Sequence, residues 1–115
     1  MAITQAYSGT LTSSTTEQSF ISGNTTLQSS TTAGVYQLMV DLSALAAGDS
    51  VRIRVKEKAI STATQYAIAD ETYAGPLSAP LYSSPSFILM DGWDMTLVQV
   101  GGTARSIPYS IRQVA

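Results

Sequence analysis

The sequence predicts an all-β protein: an antiparallel β-sandwich of the jelly-roll or a related Greek-key type, with about 7–8 strands. Three observations carry that expectation. Residues 51–58, VRIRVKEK, place Val51, Ile53 and Val55 on one face and Arg52, Arg54, Lys56 and Lys58 on the other, the two-residue period of a half-buried strand. Asp91-Gly92 and Gly101-Gly102 punctuate the C-terminal alternating runs with residue pairs suited to positive φ. No apolar period of 3.6 lasts long enough for an ordinary helix; from Asp41 or Ser43 to Gly48-Asp49 there is room for one short helical turn at most. An immunoglobulin-like sandwich is the alternative topology, here without its disulfide.

Ser and Thr dominate the first third of the chain, a composition that fits either a disordered tail or strands with small polar faces. Thr favours strands, and Ile3, Tyr7, Leu11, Phe20, Ile21 and Leu27 supply apolar points at short intervals, so short ordered strands are expected, with a turn at Gly23-Asn24. Such strands bury little by themselves. A neighbouring subunit is expected to help here, and residues 1–12 are a candidate interface arm able to add a strand to a neighbour.

Further on, Tyr36, Leu38, Val40 and Leu42 share one face while Val35 and Met39 join Gln37 and Asp41 on the other, the pattern of a central strand. After the basic strand comes a shorter one around Tyr66 and Ile68 that ends at Asp70-Glu71. Residues 74–87 contain three of the four prolines and read as a loop or edge segment. Trp93, Met95 and Leu97 then share a face, as do Ile107, Tyr109 and Ile111. Residues 92–114 therefore read as a hairpin around Gly101-Gly102, with Pro108 outward and the last strand at an edge or bulged.

One domain, residues 1–115, with a modest core suits 115 residues of which 44 % are hydrophobic. No apolar run approaches the roughly 20 residues of a membrane span, and Met1 to Gln5 has neither the basic nor the apolar part of a secretory signal, so neither is expected. Charge is sparse, at 12 % with a net of −2, which gives no electrostatic case for nucleic acid or an anionic membrane.

The chemistry is bounded mostly by missing residue types. There is no cysteine and no histidine, so disulfides, the usual nucleophilic triads and the commonest metal ligand are all out of reach. A Ser-Lys dyad would need Lys56 or Lys58, which sit on a solvent-facing strand. Asp70 and Glu71 are adjacent on a strand end and point to opposite faces, a poor geometry for paired acid-base work. No run has the alternating acids of a calcium loop, and no glycine-rich loop is spaced for phosphate. No catalytic, cofactor or metal residue is assigned, and a non-enzymatic role is expected. The stripe Arg52, Arg54, Lys56 and Lys58 is the sole clustered charge. It reads as a solvated face guarding an edge, or as a face that meets an acidic partner. Trp93 shares parity with Met95 and Leu97 and reads as core; in the rival reading, a carbohydrate-binding sandwich, it and the tyrosines would stack on sugar.

Two stretches carry a resemblance. Asp41-Leu42, then an Ala-rich turn closing on Gly48-Asp49 before the basic strand, is one. The other is Trp93, Thr96-Leu97-Val98-Gln99, Gly102-Thr103-Ala104-Arg105 and Tyr109-Ser110-Ile111, with Tyr109 where the pattern often has Trp. Together these cover about half the chain and resemble small virion proteins of tailed bacteriophages. Among these, single-domain members look like capsid decoration, or cement, proteins. The resemblance implies a β-sandwich on the outer capsid surface of the virion. Its partners would be the major capsid protein and itself, as a homotrimer or, alternatively, a dimer, with tail, fibre or head-spike modules as the runner-up. On that expectation Ile3, Tyr7, Arg52, Arg54, Lys56, Lys58 and Arg105 are the candidate interface residues.

Overall fold

A computed structural model describes residues 2–114; Met1, the initiator-like residue that begins the candidate arm, lies outside the described residues. Nine strands form two antiparallel sheets: β1 (Ile3–Thr12), β2 (Gln18–Ser19), β3 (Gly34–Asp41), β4 (Ser50–Lys58), β5 (Gln65–Ala74), β6 (Leu81–Ser83), β7 (Phe87–Leu89), β8 (Asp94–Gly101) and β9 (Ser106–Val114). One sheet runs β1-β9-β3-β6, with β7 also on β3, and the other runs β2-β8-β4-β5. No helix occurs among the described residues.

The pairing is nested. β1 pairs β9, β2 pairs β8, β3 pairs both β6 and β7, and β4 pairs β5. That is one long hairpin wound around a barrel-like core, the jelly-roll arrangement, and the immunoglobulin-like alternative is set aside. The winding follows from the alternation in each strand. Val51, Ile53 and Val55 of β4 and Met95 and Leu97 of β8 turn inward, opposite Tyr36, Leu38 and Val40 of β3 and Ile107, Tyr109 and Ile111 of β9. Trp93 is buried at the centre: its ring lies 4.4 Å from that of Tyr36, and its Nε1 donates to the Thr32 carbonyl at 3.0 Å. Leu11 and Phe20 join this core, whereas Ile3 and Leu27 are exposed.

Several expectations are corrected. Residues 92–114 are not a hairpin: β8 and β9 lie in opposite sheets, and Gly101-Gly102 carries the chain across the sandwich. Asp91-Gly92 does the same between β7 and β8. Alternation and turn residues specify strands and a reversal, but not which strand becomes the partner. Pro108 does not mark an edge, because β9 is an inner strand. The β3 ladder ends at Val40 opposite Tyr109, so Pro108 falls past its last rung. The helical turn is replaced by two successive tight turns, with Leu45 N–H donating to the Leu42 carbonyl and Asp49 N–H to that of Ala46. β5 continues through Asp70-Glu71 to Ala74, with a register shift opposite Val55 and Lys56. Residues 3–12 pair along their whole length with β9 of the same chain, so an arm reaching a neighbour would have to leave that ladder.

Candidate interaction surfaces

The two halves of the resemblance pattern meet in one clasp at the end of the sandwich. Asp49, buried between the tight turns and β4, accepts hydrogen bonds from Thr103 N–H at 2.8 Å, Ala46 N–H at 2.8 Å and Arg105 Nε at 2.7 Å. Those two backbone donors first, and the guanidinium next, hold its carboxyl down to about 2. Gly102 makes the approach possible. Its φ is +81°, and a Cβ there would stand 2.2 Å from Asp49 Oδ1. The Gln99 side chain closes the same turn, donating to the Gly102 carbonyl at 2.7 Å.

Three of the four cations of the basic stripe are paired within the chain, on two carboxylates. Arg52 is bidentate on Asp70, at 2.6 and 2.5 Å, and Lys56 Nζ lies 3.0 Å from Glu17, while Arg54 reaches both carboxylates at 3.4 and 3.8 Å. Thr96 Oγ1 also donates to Glu17 at 2.5 Å. Burial alone would raise the Glu17 carboxyl. The bonds from Thr96 and Lys56, with the charges of Lys56 and Arg54, hold it below its ordinary value. β4 lies between β8 and β5, so the stripe guards no edge. Its cations instead fasten residue 17 onto the outer face of their sheet and tie β4 to the neighbouring β5.

Beside it, Asp94 is buried under the same N-terminal segment. Ser19 Oγ donates to it at 2.6 Å, Gln28 N–H at 2.9 Å and Met95 N–H at 2.9 Å. Burial pushes this carboxyl up despite those bonds. Its role is not legible from neighbouring residues, because the segment that covers it lies more than sixty residues away.

The seven candidate interface residues are dispersed. Ile3 is exposed on the outer face of the β1-β9-β3-β6 sheet, whereas Tyr7 turns inward, edge-on to Trp93 at 6.4 Å. Arg52, Arg54 and Lys56 form the network just described, Lys58 lies across Gly92, and Arg105 belongs to the Asp49 clasp. Trp93 is unreachable by a sugar. Among the described residues no three acidic side chains gather where a metal could be held, and no helix is long and apolar enough to cross a membrane.

What reasoning from residues missed is the outer face of the β1-β9-β3-β6 sheet. It bears a shallow hollow of about 200 Å³ lined by Gln5, Met39, Asp41, Leu81, Pro108 and Arg112, among others. Met39 and Val35 stood out only as apolar residues on the polar side of β3, which was a signal of centrality and also of this face. Comparison with protein-family profiles, curated proteins and solved structures finds no match to this chain.

Proposed function

We propose that this is a non-enzymatic structural protein of a bacteriophage virion, a capsid decoration protein that self-associates and ties major capsid subunits together on the outside of the head. The observation that carries the reading is the Asp49 clasp. Gly48-Asp49 and Gly102-Thr103-Ala104-Arg105, the two distant stretches that resemble phage virion proteins, are bonded to each other through one carboxylate. Pattern residues that meet in space form a structural device rather than scattered coincidences, which supports the resemblance. The jelly roll is an architecture used by viral capsid domains and by lectins alike, so the fold is compatible with this role without selecting it.

Physically, a clamp of this kind needs rigidity and surface. Two interlocked sheets supply the first. For the second, each rigidly linked footprint adds to the others, so several weak contacts per oligomer bind far more tightly than one. The protein added to expanded heads lacking it is expected to co-sediment with them up to a fixed number of copies per capsid. Absence of saturable binding would overturn the proposal. A carbohydrate-binding sandwich is the rival; burial of Trp93 takes away one of the aromatics it would rely on and leaves it the tyrosines, of which Tyr66 is exposed.

A further inference from the structure

The outer faces of the two sheets differ in kind. On the β2-β8-β4-β5 sheet the charges of Arg52, Arg54 and Lys56 are paired with Glu17 and Asp70, and the segment around Glu17 to Gln28 covers part of the surface. The face of the β1-β9-β3-β6 sheet is bare. Register aligns Ile3 with Val114, Val114 with Val35, and Val35 with Ile88. Paired residues share a face, so four aliphatic side chains form one row straight across four strands. Ile3 is 71 % exposed and Ile88 81 %. Toward the other end, Leu81, 58 % exposed, and Met39 continue the apolar surface among Ser8, Ser83 and Ser110. A row of exposed aliphatics on a regular sheet is an unfavourable surface to leave in water.

Charge indicates the occupant. Of the strand residues on this face only Arg112 and Asp41 are charged, and they are of opposite sign. Neither makes an ion pair among the described residues. Arg112 lies one rung in from the aliphatic row, and Asp41 lies at the far end of β3 beside Leu81.

We propose that this face seats the same face of a second copy, giving a two-fold dimer stacked sheet on sheet. A two-fold axis between the sheets, crossing the strands between the Arg112-Gln37 and Ser110-Met39 rungs, exchanges the two ends of the face. It lays the Val35-Val114 row over the rung of Leu81 and Pro108 and brings Arg112 of each copy within one rung of Asp41 of the other. The surface is thus complementary to itself in both charge and polarity, which an isologous contact requires. Its size is adequate too. Four strands abreast at about 4.8 Å and some ten residues at about 3.3 Å give a flat area of roughly 600 Å². Corrugation by side chains brings this toward the roughly 800 Å² per partner of a standard interface. The inference rests on the self-association proposed above and adds its surface and its symmetry, two-fold in place of three-fold.

Sedimentation velocity on the full chain, over a range of concentrations and without capsids, tests it. The wild type is expected to show a monomer–dimer equilibrium. Ile88→Lys and Ile3→Lys, each at an exposed position, are expected to raise the dimer dissociation constant about a hundredfold or more with the unfolding temperature unchanged. Arg112→Asp is expected to weaken the dimer, and Asp41→Arg added to it to restore association. A wild type that stays monomeric, a three-copy species, or a dimer indifferent to Ile88→Lys and to the charge exchange would each overturn the proposal. Head binding is scored separately. A dimer that ignores capsids overturns decoration and leaves this contact standing, and a capsid-binding monomer does the reverse.

Discussion

At Asp49 one carboxylate joins a turn before β4 to the crossing between β8 and β9, with three donors satisfying it. Its carboxyl sits at about 2 against an ordinary 3.8. A lowered acid contributes stability above its unfolded value and loses it as pH falls through the folded one. The stability gap between wild type and Asp49→Asn, read from urea midpoints, is therefore expected to be full above pH 3.8 and to close as pH drops toward 2. A gap constant over that range would show that the charge is idle. Gly102 is the clasp's steric counterpart. Gly102→Ala forces both a positive φ and an overlap with Asp49, and is expected to cost more than about 1 kcal/mol in the same measurement. Gly48, also at positive φ but with nothing within 4 Å, is expected to pay only the backbone part when changed to Ala.

Among the elements, β1 shows how far local reading reaches. Its residues were legible as a strand from Thr content and spaced apolar residues, and Leu11 is in the core as that spacing requires. Its partner was not legible, because β9 lies about a hundred residues away and nothing in either strand's alternation encodes the other. The same holds for β8 and β9. Trp93, Met95 and Leu97, and Ile107, Tyr109 and Ile111, all face inward as their parity required, yet toward one another from opposite sheets. The Arg52-Lys56 stripe was visible as charge, whereas its partner Glu17 sat unremarked in the Ser/Thr-rich third. Removing residues 2–12 takes Leu11 from the core and uncovers the edge of β9. That deletion is expected to unfold the sandwich rather than trim it, and Leu11→Ala alone to cost about 2–5 kcal/mol by chemical denaturation. A deletion variant with wild-type tryptophan emission and midpoint would show that β1 is a detachable arm after all.

Viewed whole, the molecule is a slab of 40 × 31 × 19 Å with chemically unlike sides. On one side Arg52, Arg54 and Lys56 are tied to carboxylates of the same chain; the other is an aliphatic and hydroxyl surface whose described strand residues carry a single charge of each sign. Charge pairs exposed at a rim respond to salt, whereas a sheet face packed through apolar residues responds little. Self-association is therefore expected to persist when salt is raised from low to physiological strength, with only the Arg112-Asp41 contribution weakened. The measurement that bears most directly on the whole account is the temperature at which expanded phage heads break open, with and without this protein bound. If the protein ties capsid subunits together, saturating it on the heads raises that temperature, and Gly102→Ala, with its clasp strained, raises it less. Heads that open at the same temperature with or without the bound protein would contradict the account.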